Sequence, residues 1–228
     1  MSLLPLVDQF RPQTWADVIG QDKSIAKLDL LRKRTGTLGG RSYFISGSSG
    51  TGKTTIARLI AQEVSPDDWS EFDAKDLNTE SIHGIKWFLQ AAMTGLFRDS
   101  LRKVWIINEV HTLRTSQVSD LLTLLEPSAG SVQGLPAGVS FIFTTTTDGK
   151  DQLFEDNIDA SPFLSRCVSL NLSRRDLAEP FARRLLQIAQ AEGLDGQPLE
   201  RYLRLVRDNR LNMRACLQQI ESGELLAS

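Results

Sequence analysis

Residues 47–54, GSSGTGKT, have the types and the spacing that bind polyphosphate. They match the pattern G-x-x-x-x-G-K-[ST], which a chain of this length matches by chance on the order of one time in a hundred at average residue frequencies. Glycines let backbone N–H groups turn inward on phosphates, and the start of a following helix adds partial positive charge. Because a strand-like run precedes the motif and a helical run follows it, a nucleotide site is favoured over a plain glycine turn.

Two side chains of this motif, Lys53 and Thr54, have chemical tasks of their own. An ammonium group at the first position bridges the β- and γ-phosphates, and a hydroxyl at the second binds Mg²⁺. The residues expected to contact the nucleotide here are Gly47, Ser48, Ser49, Gly50, Thr51, Gly52, Lys53, Thr54 and Thr55.

A polar pair, Asn108 and Glu109, follows the apolar run VWII at residues 104–107. In nucleotide hydrolases an acid at the first position holds Mg²⁺, usually through water, and the next Glu polarises the attacking water. Glu109 fits the second task, whereas Asn108 offers a carbonyl oxygen without charge. We therefore expect weaker Mg²⁺ binding and slower turnover, with nucleotide binding retained. The alternative is that Asn108 only caps the following turn.

A parallel sheet is needed to position these motifs at one edge. Apolar, β-branched runs predict strands at residues 41–46, 69–73, 103–107, 139–145 and 167–170. Helical spacing of apolar residues predicts helices at residues 54–63, 81–97 and 116–125. Strands that alternate with helices imply parallel crossover connections and a sheet covered on both faces.

The pattern changes after residue 172, where only helices are predicted. Ser173 to Asp176 can cap a helix of about twenty residues that ends near Gly193. Two more helices are predicted at residues 199–208 and 212–220. The chain is therefore expected to form an α/β domain over residues 1–172 and a small helical domain over residues 173–228.

Composition excludes several classes of protein. No run approaches 18 apolar residues and the N-terminus lacks a basic segment, so neither a membrane span nor a signal peptide is expected. Only two cysteines occur, Cys167 and Cys216, which argues against a zinc site or a disulfide framework and favours the cytoplasm. The net charge of −2 provides no global basic field, so any nucleic-acid contact is local. His83 and His111 are interpreted as structural.

Six stretches carry a family signature. They are residues 8–21 (DQFRPQTWADVIGQ), 71–76 (EFDAKD), 108–111 (NEVH), 121–127 (LLTLLEP), 165–167 (SRC) and 212–214 (NMR). In this order they resemble the motifs YRPxxFxDVVGQ, ELNASD, DExx, LLxxLEEP, SRC and GDMRR. These motifs belong to the clamp-loader subunits among the AAA+ ATPases. The subunits that carry them are the replication-factor-C small subunit, the phage clamp-loader subunit and the bacterial polymerase III gamma subunit. The resemblance implies a P-loop α/β domain with a five-stranded parallel sheet, a helical lid, and ATP with Mg²⁺ between them.

The resemblance also assigns roles outside the phosphate loop. Thr146 would contact the γ-phosphate or the lytic water. Arg166 would be an arginine finger that reaches the nucleotide of a neighbouring subunit, and Arg214 would join the lid to the γ-phosphate of its own subunit. The catalytic set is therefore Lys53, Glu109, Thr146, Arg166 and Arg214, and adenine would be bound by Arg11, Pro12, Val18 and Ile19, with Met213 beside Arg214.

The partners that the resemblance implies are an oligomeric AAA+ ring, a sliding clamp and primed or double-stranded DNA, without a membrane. Candidate clamp contacts are Met93, Leu96 and Phe97, and candidate contacts to DNA phosphates are Arg98, Arg102, Lys103 and Arg114. Ordinary core packing and a solvated face are the respective alternatives. Two other functions stay open: a subunit that binds ATP and donates Arg166 but hydrolyses little, and another AAA+ factor in recombination, branch migration or mobile-element regulation.

Three features depart from the family pattern. Asn108 replaces the usual Asp. The acidic segment 147–162 is longer than the usual link to SRC, so it could add a helix or re-aim Arg166. No zinc-binding insertion is present, which favours the phage or replication-factor-C kind over the bacterial one. The sequence also ends before the helical collar of about a hundred residues that family members usually carry.

Overall fold

Five parallel strands form one sheet in the computed structural model, which describes residues 4–93, 101–125, 135–146 and 159–226. The strands are β1 (Arg41–Ser46), β2 (Trp69–Asp73), β3 (Lys103–Asn108), β4 (Val139–Thr145) and β5 (Cys167–Asn171). Their order across the sheet is β2-β3-β4-β1-β5, and each neighbouring pair is parallel. The predicted five-stranded parallel sheet is confirmed, with β3 and β5 one residue longer than predicted.

Helices of the described residues connect the strands and follow the last one. They are α1 (Leu6–Gln9), α2 (Asp22–Thr35), α3 (Lys53–Val64), α4 (Thr79–Met93), α5 (Thr115–Leu125), α6 (Ser161–Ser165), α7 (Ala178–Glu192), α8 (Leu199–Asp208) and α9 (Met213–Glu221). Short 3-10 turns lie at Trp15–Asp17, Ala74–Asp76 and Val110–Thr112. Within the described ranges, no helix is long and apolar enough to cross a membrane.

Both faces of the sheet carry an apolar core because successive strand residues point to opposite sides. Trp105 and Ile107 of β3 lie on one face, in the cluster that also receives α4 and α5. Val104 and Ile106 lie on the other face with Ile56 and Ile60 of α3. The sheet is therefore covered by helices on both sides, as predicted.

Helices α1, α2 and α6 are absent from the sequence prediction, and α7 is shorter than predicted. The polar sequence of α2 hides its helical pattern, since Leu28 is its one large apolar side chain that is fully buried. Helix α7 begins at Ala178, not at a cap formed by residues 173–176, and has 15 residues instead of about twenty. The Ser173 hydroxyl accepts a hydrogen bond from the Arg175 N–H, and Asp176 has φ +58°, a left-handed conformation that a helix cannot pass through.

The helical part has its own apolar core, which draws on both ends of the described chain. Phe181, Leu185 and Tyr202 are buried in it, and so is Leu6 of α1 at 4% exposure. The Leu6 N–H donates to the carboxylate of Glu221 in α9 over 3.2 Å. The first helix therefore packs on the C-terminal helices. The division of the chain at residue 172 stays a prediction.

Candidate nucleotide site

The carboxyl ends of β1, β3 and β4 meet at one edge of the sheet, because the strands are parallel and β4 lies between the other two. The loop 47–52 follows β1, the pair Asn108 and Glu109 follows the buried part of β3, and Thr146 follows β4. In open parallel α/β sheets, ligands bind outside this edge. The fold thus gathers the two motifs of the sequence and Thr146.

The loop between β1 and α3 has the backbone of an anion cradle. Gly47, Gly50 and Gly52 have φ of +150°, +81° and +93°, a region that side chains rarely adopt. Helix α3 begins at Lys53, so the N–H groups of its first turn have no acceptor inside the helix. These N–H groups and the helix dipole favour a bound anion.

Lys53 is buried at the base of this loop, with 7% of its surface exposed. Its ammonium donates to the carbonyl oxygen of Gly47 over 2.7 Å and to that of Ser48 over 3.3 Å. The Thr51 hydroxyl also donates to the Ser48 carbonyl, over 2.8 Å. The ammonium is therefore held against the loop that is expected to surround the phosphates.

Glu109 is fixed by its backbone and by two side chains. It has φ +54°, the left-handed region that costs a non-glycine residue energy and is maintained only by its surroundings. Its carboxylate accepts a hydrogen bond from the Thr146 hydroxyl over 3.0 Å and lies 3.3 Å from Nδ1 of His111. The same Nδ1 lies 3.2 Å from the Thr145 hydroxyl. Two residues assigned separately from sequence, Glu109 and Thr146, are thus in direct contact.

The side chain of Asn108 bonds to the two neighbouring strands. Its amide nitrogen donates to Oε1 of Glu71 in β2 over 2.7 Å, and its amide oxygen accepts from the Thr144 hydroxyl in β4 over 2.8 Å. The interpretation of Asn108 as a simple cap of the following turn is therefore wrong. The side-chain oxygen atoms of Thr54, Asn108 and the nearby carboxylates are of the type that Mg²⁺ prefers as ligands.

The helical part contacts the phosphate loop through residues to which the sequence analysis assigns no role at the nucleotide. A Cβ atom at Gly50 would overlap Oδ1 of Asn212, so this close approach requires glycine. The Arg174 guanidinium donates to the Ser49 carbonyl and, over 2.7 Å, to the Arg210 carbonyl. The Gln21 amide nitrogen donates to the Ser173 carbonyl over 2.9 Å. No local motif marks Arg174, because its partners are distant in sequence.

The segment expected to bind adenine joins the two apolar cores. Val18 packs against the cluster on the α3 face of the sheet, whereas Ile19 packs against the helical cluster. The Arg11 guanidinium donates to Asp8 over 2.8 Å, and this bond lowers the pKa of the Asp8 carboxyl. The charges of Arg58 and Arg214 act in the same direction, so Arg214, on the exposed first turn of α9, adds to a positive field near this segment.

Arg166 lies far from the phosphate loop of its own chain. It follows α6 and precedes β5, and its guanidinium donates to the Pro162 carbonyl over 2.6 Å. Since β5 runs parallel to β1, the start of β5 lies at the opposite edge of the sheet from the end of β1. The adjacent Cys167 packs against the cluster that covers one face of the sheet, and its burial raises the pKa of the thiol to about 12 despite the opposing charge of Arg166.

The candidate DNA contacts do not share one surface. Arg102 donates to the Val64 carbonyl over 3.2 Å, and Lys103 pairs with Asp68, both at the start of β3. Arg114 lies after the other end of that strand. Arg98 and the candidate clamp contacts Leu96 and Phe97 lie outside the described residues, as do the side chain of Met93 and the acidic residues 147–158.

The strand order, the phosphate loop and the helical C-terminal part define a P-loop nucleotide-binding protein. The model of the ATPase family associated with various cellular activities (AAA) matches residues 43–166, and the chain belongs to this family. A solved structure of the Thermotoga maritima RuvB Holliday junction branch migration motor aligns with a TM-score of 0.68 and 20% identity, over 93% of this chain and 64% of that one. That similarity supports the fold.

Within the AAA family, the relatives include subunits of the clamp-loader family. The chain is 30% identical over 204 residues to DNA polymerase III subunit gamma/tau of Mycoplasma genitalium, which covers 81% of this chain and 31% of that protein. It is 29% identical over 127 residues to the replication factor C small subunit of Methanoregula boonei, covering 54% and 38%. The chain thus spans about a third of the length of these relatives. Because bacterial subunits match over most of the chain, the expected preference for the replication-factor-C or phage kind is not confirmed.

Proposed function

We propose that the chain binds ATP and Mg²⁺ at this strand edge and hydrolyses ATP slowly as a clamp-loader-like subunit. The observation that carries the proposal is the 3.0 Å hydrogen bond between Thr146 and Glu109, at the edge where the phosphate loop also ends. A glutamate that is held by a residue at the end of a neighbouring strand can orient a water molecule for attack on phosphorus. Family membership supports the ATPase class.

Each part of the site has a task in this proposal. The N–H groups of residues 49–55 and the Lys53 ammonium bind the phosphates, and Arg214 approaches them from α9. Thr54 and Asn108 would hold Mg²⁺, which supplies charge stabilisation at the phosphates, Asn108 acting through water. The segment with Arg11, Pro12, Val18 and Ile19 would bind adenine, together with Met213.

A ring assembly is part of the proposal, because Arg166 lies at the opposite sheet edge from the phosphate loop of its own chain. In that position it can stabilise charge only on a nucleotide bound by another subunit. The resemblance to clamp-loader subunits supports a sliding clamp and DNA as the partners that the ring engages. Within each subunit, the division at residue 172 would separate the nucleotide domain from the lid.

A second candidate function is supported by Asn108. Both polar atoms of its side chain already bond to Glu71 and Thr144, which favours a subunit that binds ATP but hydrolyses very little. Such a subunit would still donate Arg166 to a neighbour. The two candidates share the nucleotide site and differ only in turnover.

Phosphate release by Glu109→Gln distinguishes these candidates. The glutamine keeps the size of the side chain and removes the carboxylate that orients water, so we expect turnover to fall by about 100-fold with ATP affinity unchanged. Glu224→Gln, at an exposed position of the last turn, is the matched control and should behave as wild type. If wild type releases phosphate no faster than Glu109→Gln while both bind ATP, the hydrolase proposal is wrong and the second candidate holds.

A further inference from the structure

Four polar side chains form a network beneath the strand edge, and one of them replaces the usual acid. The Arg58 Nε of α3 donates to Oε2 of Glu71 over 2.8 Å. Oε1 of Glu71 accepts from the Asn108 amide over 2.7 Å, and the Asn108 oxygen accepts from Thr144 over 2.8 Å. The network therefore connects α3, β2, β3 and β4. It includes Asn108, the residue at the position where a metal-binding acid was expected.

The strand register explains why these side chains meet. Asp73 of β2 pairs with Asn108, and Glu71 lies two residues earlier, so Glu71 and Asn108 point to the same face of the sheet. The glutamate side chain is long enough to span this diagonal offset, as its 2.7 Å bond to the Asn108 amide shows. Thr144 directly follows Phe143, the β4 partner of Ile107. The side chain of Glu71 is 19% exposed, so its carboxylate has limited access to water and depends on these partners.

The chemistry of the contact requires an amide at position 108. An ionised carboxylate only accepts hydrogen bonds, so the atom that faces Oε1 of Glu71 must be a donor. The asparagine nitrogen meets this requirement, and it leaves the amide oxygen for the Thr144 hydroxyl. An aspartate at position 108 would face Glu71 with a second carboxylate at hydrogen-bond distance, and two such charges repel each other.

We infer that Glu71 is a positioning residue for this site and that Glu71 and Asn108 act as one unit, which tolerates a single carboxylate. In this chain the carboxylate is on β2 and its uncharged partner is on β3. Asn108 is therefore not an isolated loss of function, and restoring aspartate at that position alone damages the site. The reversed pair, Glu71→Gln with Asn108→Asp, keeps one carboxylate and exchanges donor and acceptor. The inference deepens the proposed function and rests on it for the catalytic consequence.

Thermal unfolding without nucleotide or metal tests the unit directly. We expect Asn108→Asp to lower the Tm by about 6 °C and Glu71→Gln to lower it by about 2 °C. The double variant should unfold within about 2 °C of Glu71→Gln, because the amide introduced at position 71 donates to the carboxylate at position 108. Asn171→Asp is the matched control, since Asn171 ends β5 and its amide oxygen accepts from the Ser46 hydroxyl over 2.9 Å, a role that a carboxylate can keep.

A second measurement separates a role in the site from a purely structural one. The Mg²⁺ concentration that gives half of the thermal stabilisation by ATP should be about tenfold lower for the double variant than for wild type, because the carboxylate of the double variant is on β3.

A double variant that is no more stable than Asn108→Asp, or that does not accumulate as folded protein, overturns the inference. So does an Asn108→Asp protein that is as stable as wild type. If no variant binds ATP while the Tm pattern holds, the proposed function fails and the coupling of the pair stands.

Discussion

The phosphate loop and the end of β3 lie at the same sheet edge but are held in different ways. The loop takes its shape from three glycines with positive φ and from a lysine that bonds to the loop's own carbonyl groups. At the end of β3, Asn108 is instead held by side chains of β2 and β4, and Glu109 by Thr146, which follows β4, and by His111. One side of the site is thus specified locally, and the other depends on strand pairing.

This difference has a consequence for substitutions. A change in the loop alters ligand binding directly, because the groups that would meet the phosphates are the backbone and one lysine. A change at the end of β3 acts through partners on other strands, so it alters turnover or stability before it alters affinity. The following variants test this contrast.

Lys53→Met should have the largest effect. It keeps an unbranched side chain, shorter by one atom, and removes the charged donor, so we expect the Kd for ATP to rise by about 100-fold, as measured by isothermal titration. Lys27→Met is the control, because the Lys27 ammonium also donates to a backbone carbonyl, that of Ser169, over 2.8 Å. A Lys53→Met protein with wild-type affinity would contradict the assignment of the loop.

Thr146→Val should have a smaller effect, and that effect should be on turnover at the end of β3. It removes the hydroxyl that donates to Glu109 and preserves the shape of the side chain, so we expect steady-state phosphate release to fall by about tenfold. The Kd for ATP should stay within a factor of two. Thr123→Val, which removes an exposed hydroxyl on α5, serves as the control. An equal loss of affinity and turnover would show that Thr146 binds the nucleotide in the ground state.

Gly50→Ala should have the smallest effect and is compared with Gly36→Ala. Both glycines have positive φ, +81° and +74°, so both substitutions impose similar backbone strain. At Gly50 the added methyl group meets the side chain of Asn212. At Gly36, among the described residues beyond its two chain neighbours, no atom lies within 4 Å of the added methyl group. We expect the free energy of unfolding in urea to fall by about 1 kcal/mol more for Gly50→Ala. Equal losses would mean that the loop does not contact α9 in solution.

The same contrast explains how much of the molecule can be predicted from its sequence. The strands and the phosphate loop are predictable because apolar runs and glycine spacing act over a few residues. The order of the strands, β2-β3-β4-β1-β5, is not predicted, because it depends on which strands pair across the sheet. Glu109 and Thr146 are identified individually, but the hydrogen bond between them depends on the pairing of β3 with β4.

Contacts between distant segments escape prediction for a physical reason. Glu71 and Asn108 are 37 residues apart, and no periodicity in the sequence relates them. Arg174 meets Ser49 across 125 residues. The helix start at Ala178 also depends on Asp176, whose left-handed backbone is not encoded by its residue type alone. Such features become visible only when the strands and helices are packed.

The packing of α1 on the helical part restricts how that part can turn. Leu6 bonds to Glu221 across 215 residues, and Gln9 donates to Glu192 of α7 over 2.6 Å. Because α1 packs with the helical part, two chain segments connect that part to the α/β part: residues 11–21 and residues 171–177. The first of these connections contains the residues proposed to bind adenine. A movement of the helical part against the sheet would therefore also displace the segment proposed to bind adenine.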